Sequence, residues 1–117
     1  VRDEMLRINN QAIYLTKGDS AYITFILKRP DDSIYELVEG DQVFFRLKVE
    51  KEIIEIVCTT DVNNNTVALA IRPEHTENLK TGRFKYEVEL VTEDGDHSTF
   101  IADAPFTIGR EIENRAE

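Results

Sequence analysis

The chain has 117 residues, 41 % of them apolar and 32 % charged, the composition of one globular domain and not of a disordered segment. Its Lys and Arg number 14 against 23 Asp and Glu, a formal net charge of -9. With no run of basic residues, this argues against nucleic acid and anionic membrane as partners. The single cysteine, Cys58, excludes an intramolecular disulfide and implies no oxidising compartment. No apolar run is long enough to span a bilayer, and Val1-Arg2-Asp3-Glu4 does not open a signal peptide, so synthesis in a cytoplasm is expected.

Period-two alternation dominates the chain. Ile8 to Leu15 reads as an opening strand with an irregular centre at Asn9-Asn10, followed by a turn at Lys17-Gly18-Asp19-Ser20. Ala21 to Lys28 places Ile23, Phe25 and Leu27 on one face and Tyr22, Thr24 and Ile26 on the other. Arg29 to Ser33 is a turn, with Pro30 fixing φ and Asp31 and Asp32 suited to capping. Ile34 to Leu37 is expected as a short edge piece, and Glu39-Gly40-Asp41 as another turn. Gln42 to Val49 alternates cleanly: Val43, Phe45, Leu47 and Val49 point inward, while Gln42, Phe44, Arg46 and Lys48 point outward. Glu50-Lys51 closes a hairpin into one strand from Ile53 to Thr59. Thr60 to Thr66 is an Asn-rich loop, since Asn tolerates left-handed backbone.

Val67, Leu69 and Ile71 point inward on the next strand, which ends at Pro73-Glu74. One helical turn is expected over Glu74 to Leu79, and Gly82 resets the backbone. Phe84, Tyr86, Val88 and Leu90 then face inward against Arg83, Lys85, Glu87 and Glu89. Glu93-Asp94-Gly95-Asp96 carries the Asp-Gly signal of a tight hairpin. Ser98 to Ala102 returns, and Phe106 and Ile108 end the last strand after Pro105. The charged segment 110–117 reads as a tail that frays or continues into a helix of a longer parent protein. The whole is one domain, residues 1–117: an all-β, antiparallel sandwich of roughly seven to nine short strands, with a closed barrel as the competing architecture.

The residues that carry chemistry elsewhere are sparse. His75 and His97 have no second His or Cys at ligand spacing and read as loop residues, so no zinc site is expected. Asp31-Asp32, Asp41 and Glu93 to Asp96 supply oxygens at turns, but not the alternating loop of carboxylates that calcium needs. Ser20, Ser33 and Ser98 stand outside any nucleophile-elbow motif, and the scattered glycines form no phosphate loop. Cys58, in the apolar run Ile53-Ile54-Glu55-Ile56-Val57-Cys58, reads as a small buried hydrophobe. No catalytic, cofactor or metal residue is therefore expected, and no enzyme. Among the aromatics, Phe25, Phe45, Phe84 and Phe106 fall on core faces, and Tyr22, Phe44 and Phe100 on the opposite faces. Phe44 beside Arg46, with Tyr22, is the candidate subunit interface, because aromatics and Arg concentrate at such surfaces. The alternative for Phe44 is a place beneath a loop or edge strand.

Two resemblances follow from these motifs. Leu79-x-x-Gly82-x-Phe84-x-Tyr86 resembles the corner of immunoglobulin domains, with Phe84 in the tyrosine slot and Tyr86 in the cysteine slot; it implies an Ig-like sandwich without the disulfide. Leu15-Thr16-Lys17-Gly18-Asp19, Ile23-Thr24-Phe25-Ile26-Leu27 and Gly40-Asp41-Gln42-Val43-Phe44-Phe45-Arg46-Leu47-Lys48 look like the opening of the N-terminal domain of tailed-phage baseplate upper proteins. Leu69-x-Ile71-x-Pro73-Glu74-x-Thr76-x-x-Leu79-x-x-Gly82 and Thr92-x-Asp94-Gly95-Asp96, followed by Thr99-Phe100-Ile101 and Pro105-Phe106-Thr107-Ile108, continue the likeness. The resemblance implies a non-catalytic structural protein of a phage or prophage tail, made in the bacterial host cytoplasm. Other tail and baseplate proteins, and copies of itself in a homo-oligomer, are the partners it implies. An Ig-like module that binds carbohydrate or a cell surface is the alternative.

Overall fold

The computed structural model describes residues 12–110. Among them are eight strands and one helical turn: β1 (Ile13–Thr16), β2 (Ala21–Phe25), β3 (Gln42–Val49), β4 (Glu52–Val57), β5 (Thr59–Asp61), β6 (Thr66–Ile71), α1 (Pro73–Thr76), β7 (Gly82–Val91) and β8 (His97–Gly109). They form a five-stranded sheet of order β1-β8-β7-β3-β4 and a three-stranded sheet of order β2-β6-β5. The chain alternates between the two: β1, then β2, then the β3–β4 hairpin, then β5–β6, then the β7–β8 hairpin. All pairings are antiparallel except β1 with β8, which is parallel. This is an Ig-like sandwich, with the helical turn at the β6–β7 corner. Two separate sheets rule out the closed barrel.

The alternation read from the sequence is what makes the core. Val43, Phe45, Leu47 and Val49 of β3 and Tyr86, Val88 and Leu90 of β7 are buried against Ile23 and Phe25 of β2 and Val67, Leu69 and Ile71 of β6. Phe45, Tyr86 and Phe106 cluster at its centre, with ring centroids 5.2, 6.0 and 6.2 Å apart in tilted and edge-on arrangements. Thr76 of α1 is fully buried, and its Oγ1 accepts the Gly18 N–H at 3.1 Å. That bond ties the β1–β2 turn to the β6–β7 corner.

Six expectations are corrected. The strand expected from Ile53 to Thr59 breaks at buried Cys58: β4 stays with the large sheet and β5 joins the small one. The helical turn starts at Pro73, where a missing N–H is harmless, and ends at Thr76. The expected edge piece Ile34 to Leu37 is not a strand: it makes one bridge, Lys28 to Ile34, and one backbone hydrogen bond, Tyr35 N–H to Leu27, and Asn65 holds it by accepting the Leu37 N–H and donating to the Tyr35 carbonyl. The two final strands are a single β8 that carries two register shifts against β7. Asp103, at φ 51°, lies in one bulge, and Phe100 is the inserted residue of the other. The insertion turns Phe100 from the expected outer face onto the core rim, where it meets Tyr35 edge-on at 5.6 Å. Phe84 is likewise half-buried at the open end of the sandwich, packed against the core rather than inside it. Of the opening strand, Asn9-Asn10 lies outside the described residues, as does segment 111–117 of the expected tail.

Candidate interaction surface

The outer face of the large sheet is built by register. Val57, Phe44 and Glu89 lie in one row across β4, β3 and β7; Glu55, Arg46 and Glu87 in the next; Ile53, Lys48 and Lys85 in the third. Strands place opposite residues within side-chain reach, so the middle row becomes an ion-pair network. The Arg46 guanidinium donates to Glu55 Oε2 at 2.8 Å, Glu87 Oε2 at 3.3 Å and Glu89 Oε1 at 2.6 Å. It also lies over the Phe44 ring, 5.3 Å from the centroid. Lys48 bridges Glu87 and Asp103. His97 Nδ1 lies 2.9 Å from Glu89 Oε2. The Arg46 hydrogen bond, with His97 beside it, holds the Glu89 carboxyl below the usual carboxylate range. The carboxylates in turn raise the Arg46 guanidinium, with Glu89 the largest cause.

The three residues named from the sequence do not share a patch. Phe44 and Arg46 adjoin on β3, half-buried by their mutual stacking and by the carboxylates. Tyr22, 71 % exposed, lies on β2, in the other sheet. Sequence reasoning missed one edge of the large sheet, β4. β4 closes the large sheet and has no partner beyond it among the described residues, and its Ile53 and Val57 are 58 % and 60 % exposed. The signal was present in the run Ile53-Ile54-Glu55-Ile56-Val57, where Ile53 and Val57 put apolar side chains on the outer face as well as the inner one.

The two ends of the sandwich differ in charge. Where β7 begins, a cleft of about 520 Å³ is lined by Lys48, Lys80, Arg83 and Lys85, by one acid, Glu50, and by Phe84. Lys80, Arg83 and Lys85 are exposed and form no ion pair among the described residues. Where β7 ends, Glu93, Asp94 and Asp96 of the β7–β8 turn stand beside Glu39, since Gly40 packs against Glu93. These four acids are exposed and likewise form no ion pair among the described residues. A second cleft at the first end, about 460 Å³, sets Lys17 and Arg110 against Asp19 and Glu77 and is balanced in charge.

The other sequence candidates have local tasks. His75 Nδ1 accepts the Arg72 N–H at 2.9 Å, closing the start of α1. Asp41 is buried, and its Oδ2 accepts the Tyr35 hydroxyl at 2.8 Å and the Val38 N–H at 3.0 Å. Burial first, then the Asp41 bond, pushes the Tyr35 hydroxyl up to about 12. Asp31 accepts the Ser33 N–H and hydroxyl within its turn. Cys58 is buried, and burial pushes its thiol up to about 12. Among the described residues no group of three His, Cys, Asp or Glu is placed to hold a metal ion, and no helix is long and apolar enough to cross a membrane.

No family model matches the chain, and no curated protein matches it. Solved structures do. The chain is similar to the N-terminal domain of phage TP901-1 ORF48, at 20 % identity and a TM-score of 0.55, covering 86 % of this chain and 85 % of that one. It is also similar to part of a protein from Bacteroides vulgatus assigned to the glycoside hydrolases, at 15 % identity and a TM-score of 0.50. That match covers 86 % of this chain but spans only 17 % of the hydrolase. At these identities the likeness is one of fold.

Proposed function

We propose that this domain is a non-catalytic structural element of a phage or prophage tail baseplate, acting through protein–protein contacts with copies of itself and with neighbouring tail proteins. The observation that carries the reading is the likeness to the phage TP901-1 ORF48 domain over nearly the full length of both chains. The motif resemblance along the sequence points the same way. The β4 edge, unpaired among the described residues and carrying exposed Ile53 and Val57, supports it in physical terms, because unpaired edge groups beside apolar side chains favour strand addition. The test is proteomics of tail particles purified after induction of the source bacterium, with copy number set against the major tail protein. Enrichment at a fixed multiple of three or six per tail, in line with cyclic assembly, supports the role; absence from intact particles refutes it.

The similarity to part of a glycoside hydrolase favours a second reading, a carbohydrate-binding module. Against it, exposed Tyr14 and Tyr22 stand on different sheets and offer no common stacking platform. A glycan screen at millimolar ligand decides: saturable binding lost on Tyr14→Ala or Tyr22→Ala would favour the module.

A further inference from the structure

We infer that two copies of this chain associate head to tail, the acidic β7–β8 turn of one entering the cationic cleft of the next. The inference stands on the charge layout alone and not on the tail reading. On the outer face Arg46 is neutralised by three carboxylates and Lys48 by two, while Lys85, in the same row as Lys48, forms no ion pair among the described residues. At the ends the charges are left over, and they are opposite. Lys80, Arg83 and Lys85 gather around one concavity in a chain whose net charge is -9. Lys85 even faces Lys48 directly across the β3–β7 pair, a like-charge juxtaposition that destabilises the isolated sheet. Exposed Glu93, Asp94 and Asp96 sit in the turn that follows the other end of the same strand. A turn of one sign and a cleft of the other are complementary in charge.

Range decides whether the overall negative charge defeats this. The ten residues of β7 separate the two ends by about 30 Å at the usual rise of a strand. Charges are screened over about 10 Å at 0.1 M salt, so each end presents its own sign to a partner. Because the two contacting surfaces differ, the contact is heterologous, and it closes into rings or extends into stacks.

The experiment is sedimentation velocity of the whole chain at about 50 mM and about 500 mM NaCl, with two charge-reversed variants. One carries Lys80→Glu, Arg83→Glu and Lys85→Glu; the other carries Glu93→Lys, Asp94→Lys and Asp96→Lys. All six positions are exposed, and Lys85→Glu gives Lys48 a cross-strand counter-ion, so folding is expected to survive. The wild-type chain is expected to associate at low salt and to weaken about tenfold or more at high salt. Each variant alone is expected to be monomeric, and an equimolar mixture to associate again. A wild-type chain that stays monomeric at low salt overturns the inference. So does association that salt does not weaken, that either variant retains alone, or that the mixture does not restore.

Discussion

Replacing Arg46 with Met separates a residue that holds the sheet from one that meets a partner. Met keeps most of the aliphatic stem but removes three carboxylate bonds, at 2.8, 3.3 and 2.6 Å, and the contact with Phe44. The Arg46 side chain is 22 % exposed, and Glu87 and Glu89 are 23 % and 15 % exposed, so these pairs fall between free surface bridges and buried ones. Glu55, at 47 %, is the most exposed partner. At about 0.5 kcal/mol per pair and about 0.5–1 kcal/mol for the ring contact, the direct loss is about 2 kcal/mol. Three carboxylates left around a neutral side chain repel one another and push the total toward 3 kcal/mol. With a urea slope of about 1.5 kcal/mol per molar, the unfolding midpoint is expected to fall by about 1.5–2 M.

The sign of the pH dependence follows from Glu89. Its carboxyl is lowered from 4.5 in the folded state. The stability it contributes is present above that value and is lost as the pH falls through the lowered one. The gap between wild type and Arg46→Met in urea is therefore expected to be widest near pH 6 and to narrow below pH 4.5. A midpoint within about 0.3 M of wild type at pH 6, or a gap that grows on acidification, refutes the structural role for Arg46. The partner-facing role would then gain.

Three further outcomes are expected. Cys58, with its thiol pushed up to about 12 by burial, should react with a disulfide reagent at pH 8 about a hundredfold more slowly in the native chain than in urea; stoichiometric labelling of the native chain within seconds refutes the burial argument. Gly40→Ala puts a Cβ 2.9 Å from Glu93 Cβ at φ 93°, and should destabilise by about 1–2 kcal/mol and lower the melting temperature by about 5–10 °C; an unchanged melting temperature would show that the loop relaxes freely. Phe44→Glu should weaken a homo-oligomer formed through the outer face, read as a lower mass in light scattering; an unchanged mass removes Phe44 from the interface.

The strands that alternate strictly, β3, β6 and β7, could be read from sequence because their two faces have different surroundings. Every residue assigned inward on β3 and β6 is buried. What could not be read was set by contacts distant in sequence. Nothing local marks Cys58 as the point where the chain changes sheets, since Thr59 has β-propensity as strong as Val57. The bulges of β8 are equally silent, because Asp103 and Phe100 are ordinary strand-end residues until the register with β7 demands two extra positions. Among the interface candidates, Phe44 and Arg46 share a face by alternation alone. That Tyr22 lies on the other sheet required the sheet order.

The two proposed contact modes use different boundaries and are compatible in one assembly. Strands run from one end of the sandwich to the other, so β4 flanks the molecule while the cleft and the acidic turn terminate it. Strand addition at β4 relies on backbone hydrogen bonds and on Ile53 and Val57, interactions that salt screens little. Contact between the ends relies on unpaired charges and is screened readily. A ring or stack joined through the ends leaves every β4 edge pointing sideways and available to a neighbour. Salt titration can therefore release copies joined through their ends while leaving another protein held at the β4 edge.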